Sequence, residues 1–389
     1  MPRPGPWRST VSALLANLVG IGLARFAYSP LIPALVAEGW FSASAAAYLG
    51  AANLAGYLAG ALSARALGRR LGPAGALKAM MAVIALSFLL CAQPLPFAWF
   101  FVWRFASGLA GGVIMVLAAT LALPHVPESR RGLAGGLIFA GVGLGAVASS
   151  ILLPPLLAQG MAATWIVLGL LCLVFTLAAW RGWPEDSVPP AGNQVPLPRD
   201  PRLRALMGVY ALNAFGLVPH MVFLVDLVAR GLGQGIERGA AIWLLFGLGA
   251  SVGPVVLGRL GDRFGFGVVL RAALVTQALV VAATATTREI GWLGVSGFIM
   301  GGFTPGVVPV VLGRVRELLP GDFGAQRAAW SRTTAAFALG QAAGAYGLAW
   351  VFTTSGGAYG MLFALGGAAL VLALGLELAV RPRRISVPA

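Results

Sequence analysis

The chain has 389 residues, of which 59% are hydrophobic and 10% are charged, and its mean hydropathy is +0.87. This composition excludes a soluble globular domain and predicts a protein embedded in a lipid bilayer. The formal net charge of +15 does not indicate a nucleic-acid partner, because the basic residues are spread over alternate short loops and not gathered on one face.

Apolar runs long enough to cross a bilayer recur along the chain in two groups of six. The first group lies near residues 10–36, 42–64, 76–93, 97–123, 132–157 and 163–180. The second lies near 205–229, 239–258, 267–286, 291–313, 328–352 and 357–380. We therefore predict an all-α membrane protein of twelve transmembrane helices, with six-helix bundles at 1–180 and 205–389 joined by a polar, proline-rich cytoplasmic connector at 181–204.

The distribution of basic residues predicts the orientation. Of the 27 Lys and Arg residues, Arg25 and Arg104 fall within spans, and only Arg230, Arg238 and Arg288 fall in loops on the side opposite the N-terminus. Cytoplasmic loops carry an excess of Lys and Arg. We therefore expect a multi-pass protein of the inner membrane with both termini in the cytoplasm.

The sequence shows no pattern typical of catalysis. Cys91 and Cys172 both lie in apolar spans without metal-like spacing, and no ATP-binding or nucleophile motif stands in a suitable context. We expect no enzyme activity, no cofactor and no bound metal.

The two halves resemble each other. The segments LVAEG (35–39) and LVARG (227–231) each close the first helix of their half, 192 residues apart (35 to 227). The segments GALSAR (60–65) and GRLGDR (258–263) each close the second helix, 198 residues apart (60 to 258). Two six-helix repeats predict a binding site between them near the bilayer midplane.

Several motifs resemble those of the major facilitator superfamily, and the resemblance covers nearly the whole chain. The segment GRLGDRFG (258–265) is similar to its loop motif GxLxDRxG, and GALSARALGRR (60–70) is a degraded copy with Ala64 in place of the usual aspartate. Arg104 in RFASGLAGG resembles the fourth-helix motif. The segments GIGLARFAYSPLIPAL and FALGQAAG are most similar to the YbfB/YjiJ-type branch.

This resemblance implies a secondary transporter that works by alternating access. It also implies a gating role for the loop-motif residues Gly258, Asp262, Arg263, Gly265, Gly60, Arg65 and Arg69. The substitution at Ala64 puts the charge relay of the first loop in doubt. The fifth span also lacks the Gly-Pro pair of similar antiporters.

Two arginines lie within the spans of the first half. Arg25 is about 15 residues into the first span, too deep to snorkel easily, and such a residue is a functional candidate by default. Tyr28 follows three residues on, so the two together suit a carboxylate; the alternative is a structural ion pair. Arg104 is expected to face the cavity, with a partial snorkel as its alternative. Without an acidic partner in this half, they predict an anionic cargo.

The seventh span carries its own polar residues. Asn213 and His220 are seven residues apart and share a face, which we expect to line the central cavity beside the break at Pro219. His220 is a candidate for binding cargo or a proton, with a structural histidine as the alternative. Asp226 precedes Arg230 by four residues, so an i,i+4 pair, an outer-gate contact and a proton-coupling role all remain open.

Weaker candidates are uncharged polar residues that suit either cargo contact or interhelical hydrogen bonding: Gln341, Asn53, Thr334 and Tyr57. The pattern as a whole predicts a proton-coupled secondary transporter of a small organic anion. The alternatives are a proton-linked exporter of amphiphilic compounds and a membrane scaffold or sensor that moves nothing. The expected partners are a small-molecule substrate, protons and the bilayer, and the expected state is a monomer.

Overall fold

A computed structural model describes residues 6–127, 131–184 and 200–379. Those residues form helices and connecting loops and no strand. Most of the predicted connector, residues 185–199, and the basic C-terminal segment RPRR, residues 381–384, lie outside the described residues.

Twelve helices of the described chain are long and apolar enough to cross a membrane, which confirms the predicted number. We number them helix 1 to helix 12. In the first half they are Trp7–Ala37, Ala43–Leu71, Pro73–Leu90, Phe97–Ala122, Arg131–Leu157 and Met161–Ala179. In the second half they are Pro201–Gly231, Gly235–Phe264, Phe266–Thr286, Ile290–Leu318, Phe323–Thr354 and Tyr359–Ala379. Helix 2 extends to Leu71, seven residues past its predicted end. The prediction ended early because the last turns of the helix are polar and do not belong to the apolar run.

Alternate loops lie at the same end of the bundle. We call the end that carries the loops 38–42, 91–96, 158–160, 232–234, 287–289 and 355–358 the distal end. The opposite end, where helix 1 begins, is the proximal end.

Helices 1 and 7 are irregular where regular helices would be expected. Helix 1 contains a π-helical segment, Leu18–Phe26, and helix 7 contains two, Pro219–Phe223 and Leu227–Gly231. Proline cannot donate a backbone hydrogen bond, and wide π turns often occur at functional sites. Each helix has a main-chain carbonyl in this region that accepts a side-chain hydrogen bond from another helix.

These carbonyl groups tie neighbouring helices together. The Ser29 hydroxyl of helix 1 donates to the carbonyl of Met221 in helix 7. The Arg104 guanidinium of helix 4 donates through Nη1 to the carbonyl of Ala24 in helix 1, at 2.8 Å. Polar backbone groups within a membrane need such partners, so both bonds stabilise the irregular turns.

Glycines allow the same close helix packing in both halves. Helix 2 packs on helix 4, and helix 8 packs on helix 10. A Cβ at any of six glycines would overlap a carbonyl oxygen of the facing helix, and the contacts form pairs 193 residues apart (108 to 301): Gly108 on Asn53 and Gly301 on Phe246, Gly56 on Phe105 and Gly249 on Phe298, Gly60 on Leu109 and Gly253 on Gly302. Small residues at such interfaces are typical of membrane helices.

This packing corrects the register that we expected for the second helix of each half. Gly60 corresponds to Gly253, not to Gly258, so the 198-residue pairing of GALSAR with GRLGDR is wrong by five residues. The segment RALGRRLG (65–72) pairs instead with GRLGDRFG (258–265). Both end on a glycine with positive φ, 69° and 85°, directly before the next helix.

The new register changes three assignments in the first loop motif. Arg69, not Ala64, stands where the second half has Asp262. Gly60 and Arg65 lie inside helix 2 and not in the loop; Gly60 is buried against helix 4, and Arg65 is exposed.

The two halves contact each other through several helices, and some of these contacts lie at the distal end. Helix 2 packs on helix 11, helix 5 on helix 8, and the distal parts of helices 1 and 7 on each other. The hydroxyls of Ser44 and Thr353 are 2.5 Å apart across the halves. Phe26 packs edge-on against Trp243, with ring centroids 5.7 Å apart. The conformation is therefore closed at the distal end.

The glycine contacts predict which small substitutions destabilise the bundle. Gly301→Ala and its repeat counterpart Gly108→Ala should each lower the thermal unfolding temperature of the purified protein, because the added methyl group overlaps a backbone carbonyl. Overpacking of this kind costs about 1–3 kcal/mol. Gly291→Ala, also in helix 10, is the control, since its methyl group meets no atom within 4 Å. Equal unfolding temperatures for Gly301→Ala and Gly291→Ala would contradict the packing.

Candidate functional site

Arg25 lies at the end of the π-helical segment of helix 1 and faces helices 2 and 11. Its guanidinium carbon is 4.2 Å from the centroid of the Tyr57 ring. Its Nη1 donates to Oε1 of Gln341 at 3.2 Å, and its buried Nε has no hydrogen-bond partner in the described part of the chain. Arg25 therefore links helix 1 to helix 11 of the other half.

Arg104 lies deeper among side chains and is 3% exposed. Its guanidinium carbon is 4.0 Å from the centroid of the Tyr28 ring, and no described residue forms a hydrogen bond with its Nε. The sequence suggested that Tyr28 pairs with Arg25, but the structure stacks it on Arg104. The Tyr28 hydroxyl donates to the carbonyl of Ala46 at 2.9 Å and is already used.

Asn53 connects helix 2 to helix 4 beside this pair. Its Nδ2 donates to the carbonyl of Arg104 at 3.2 Å. This bond positions the backbone that carries the arginine.

No carboxylate of the described residues lies within 4 Å of either guanidinium. A charged group within a membrane costs free energy unless other groups compensate it. Here the compensation comes from aromatic rings, a carbonyl and an amide, all of which are neutral. The two cations therefore retain a strong attraction for an anion.

A small cavity lies between the arginines and helix 7. Its lining residues come from both halves: Arg25, Tyr28, Ser29, Gly50, Asn53, Leu54, Arg104, Met221 and Val222. Its free volume is about 10 Å³, which is room for about one water molecule. A cargo molecule does not fit until the surrounding helices move.

Asn213 and His220 face helices 9 and 12 of their own half, although we expected them to line the central cavity. The Asn213 Nδ2 donates to Oε1 of Gln277 in helix 9 at 2.9 Å. The His220 ring packs edge-on against Phe363 of helix 12, with ring centroids 5.0 Å apart, and neither ring nitrogen has a hydrogen-bond partner within residues 6–127, 131–184 and 200–379. Asn213 and His220 do lie on one face of helix 7, but in this conformation that face packs against helices of the second half.

Asp226 forms the expected i,i+4 ion pair with Arg230. Both carboxylate oxygens accept from the guanidinium at 2.5 Å, and Asp226 is 1% exposed. The hydroxyl of Tyr359, at the start of helix 12, donates to the same carboxylate at 2.6 Å. This cluster joins helices 7 and 12 at the distal end and lies within one half.

At the proximal end, Asp262 and Arg263 of the loop motif are both exposed. The N-terminus of helix 9 is held instead by Glu317 of helix 10, whose Oε1 accepts from the backbone N–H of Phe266 at 2.7 Å. Arg314 pairs with Glu317 at 3.0 Å. A negative charge at a helix N-terminus is stabilising, so Glu317 stabilises the start of helix 9.

Four residues that bond to helix 1 or helix 7 in this region were not predicted from the sequence: Ser29, Met221, Gln277 and Tyr359. The contact between Ser29 and Met221 had a signal, since the two residues are 192 apart, the spacing of the first repeat pair. Equivalent residues of two repeats meet where the pseudo-symmetry axis passes. Tyr359 had no signal, because it approaches Asp226 only through the packing of helix 12.

Comparison with known proteins places this geometry in context. A family model described as "Uncharacterised MFS-type transporter YbfB" matches residues 17–378. The chain is 25% identical over 385 residues to a protein of Streptomyces lividans named "Chloramphenicol resistance protein", covering 94% of each chain.

Among solved structures, the chain is similar to a D-xylose-proton symporter. The TM-score is 0.73 at 16% identity, over 97% of this chain and 98% of that one. At this identity the likeness shows the fold, which is that of the major facilitator superfamily. Because the family model spans nearly all of the twelve helices, the chain belongs to the YbfB-type family of major facilitator superfamily transporters.

Proposed function

We propose that this chain moves a small organic anion across the membrane as a secondary active transporter. The observation that carries the proposal is the pair formed by Arg25 and Arg104, each stacked on a tyrosine, with a partner-free Nε and no carboxylate within 4 Å among the described residues. Both line one cavity at the junction of the halves.

The stacking explains why an anion fits. A guanidinium that lies over an aromatic ring uses its face, and its N–H groups at the edge stay available for hydrogen bonds. Carboxylates accept such bonds in a bidentate geometry that adds direction to the charge attraction. A mono- or dicarboxylate therefore matches the two arginines better than a neutral sugar does.

Transport requires that the closed cavity opens alternately to each side. We propose that the halves 1–180 and 205–389 move as units, joined by the connector at 181–204, and that the distal contacts of Ser44 with Thr353 and of Ser29 with Met221 break when the distal end opens. The proposed state is a monomer in the inner membrane, with the proximal end in the cytoplasm.

Proton coupling is the drive that we propose, with His220 and Asp226 as the candidate proton sites. His220 is buried, and its ring nitrogens have no partner among the described residues, so charging it in this conformation is costly. The π-helical segment that begins at Pro219 offers a way to expose it when helix 7 rearranges. Asp226 already has Arg230 and Tyr359 as partners.

The second candidate function is a proton-linked exporter of amphiphilic compounds. The name of the Streptomyces lividans relative favours it, and so does the apolar part of the cavity wall, formed by Leu54, Met221 and Val222. The two arginines favour the anion.

A ligand panel separates the two candidates. Purified protein should gain thermal stability with acetate, lactate, succinate or benzoate, and not with xylose, chloramphenicol or tetraphenylphosphonium, because a ligand that binds only the folded state stabilises it by mass action. Stabilisation by chloramphenicol alone would favour the exporter instead.

Arg25→Ala should abolish the stabilisation by the carboxylate, and Arg25→Lys should restore little of it, since lysine lacks the planar fork. Arg288→Ala is the matched control, because Arg288 lies in a distal loop and, among the described residues, its one hydrogen bond goes to its neighbour's carbonyl at 3.2 Å. Comparable stabilisation of the wild type and both Arg25 variants would remove Arg25 from the site.

Reporter fusions test the orientation. Fusions at Arg69, within the connector at 181–204 and after the C-terminal RPRR should all report the cytoplasmic side, because basic loops stay inside. An external signal from the connector would contradict the proposed two-bundle topology.

The pH dependence of transport tests the proton sites. In proteoliposomes with an imposed gradient, His220→Gln should flatten the pH profile between about pH 5 and 8, the range in which histidine ordinarily titrates. Asp226→Asn should instead lower stability, because it weakens the ion pair with Arg230 and the bond from Tyr359. An unchanged profile in the His220 variant would leave the histidine structural and move the proton role to Asp226.

A further inference from the structure

Gln341 holds a fixed position in helix 11, opposite the arginines. It is 1% exposed and follows Gly340, where a Cβ would overlap the carbonyl of Ala211 in helix 7. One turn later, Gly344 also packs closely on helix 7, at Phe215. The backbone around Gln341 is therefore held within the second half, while its side chain reaches the first half.

The side chain makes one strong and one weak contact. Its Oε1 accepts from Nη1 of Arg25 at 3.2 Å, and its Nε2 lies 3.5 Å from Sδ of Met221. A neutral amide oxygen is a poorer partner for a guanidinium than a carboxylate, because the carboxylate brings an opposite charge and a second acceptor oxygen for a bidentate pair. Gln341 therefore gives Arg25 a partner that a carboxylate displaces readily.

We propose that Gln341 acts as an internal stand-in for the cargo. Its amide oxygen takes the place on Arg25 that a carboxylate oxygen of the cargo takes, and this bond holds the halves together when no cargo is present. Binding of the anion breaks the link between helix 1 and helix 11. This inference rests on the proposed anion transport and adds a role for one residue in it.

The proposal and the simpler idea that Gln341 binds cargo predict opposite changes in anion affinity when Gln341 is replaced. If Gln341 competes with the anion for Arg25, its removal tightens anion binding. If it donates a hydrogen bond to the cargo, its removal weakens binding. A glutamate at the same position would supply a permanent internal carboxylate and exclude the cargo.

The Kd of a carboxylate, measured for variants of Gln341, distinguishes these two roles. With the carboxylate from the acetate, lactate, succinate and benzoate panel that stabilises the protein most, Gln341→Leu should lower Kd by about three- to tenfold, the effect of one lost competing hydrogen bond. Gln341→Glu should raise Kd by about tenfold or more, because an ion pair replaces the neutral bond. Gln277→Leu is the control, a buried glutamine of the same half that bonds Asn213, and its Kd should stay near that of the wild type.

Disulfide formation at the distal end tests, without any ligand, whether the bond between Gln341 and Arg25 holds the two halves together. Ser44→Cys with Thr353→Cys should cross-link under mild oxidation when the distal end is closed, because the native hydroxyls are 2.5 Å apart. Adding Gln341→Leu should slow cross-linking, and adding Gln341→Glu should not.

The outcomes separate the two proposals. Weaker anion binding by Gln341→Leu, or a cross-linking rate equal to that of the parent pair, would overturn the role of Gln341. Absence of carboxylate binding by the wild type would overturn the proposed anion transport. Slower cross-linking in Gln341→Leu would then still show that Gln341 holds the two halves together.

Discussion

Two guanidinium groups inside the membrane, with no carboxylate of the described residues beside them, are the constraint on which the central part of this structure depends. Arg104 is almost fully buried, and a charge there persists only if nearby groups replace part of its hydration. The ring of Tyr28 and the carbonyl of Ala24 supply that replacement for Arg104, and Tyr57 and Gln341 supply it for Arg25. All four are neutral, so the positive potential remains.

The irregular helices and the close glycine contacts follow from the same requirement. The π-helical segment of helix 1 ends two residues after Ala24, and Arg104 donates to the Ala24 carbonyl. Gly108, one turn after Arg104, lets helix 4 approach the backbone of Asn53 so that the guanidinium reaches helix 1. A larger residue there would move the charge away from its partners. The irregular helix 1 and the tight packing of helix 4 therefore serve one site.

Sequence patterns were sufficient for the features that depend on composition or on neighbours within one helix. Hydropathy gave the twelve helices, and the i,i+4 spacing gave the pair of Asp226 and Arg230. The same reasoning paired Arg25 with Tyr28, because it assumed 100° per residue, and the π-helical segment changes that angle. His220 was expected in the cavity for a similar reason: spacing tells which residues share a face, but only packing against Phe363 decides where the face points.

The two halves share their packing but not their chemistry. Under the 193-residue register, Asn53 corresponds to Phe246 and Arg104 corresponds to Gly297. Where the first half carries a cation and an amide, the second half has an aromatic stack, with the rings of Trp243 and Phe246 4.3 Å apart. A symmetric pair of charged halves would repel across the junction. The residues of the facing half that line the cavity, Met221 and Val222, are uncharged, so the charged part of the cavity wall comes from the arginines of the first half.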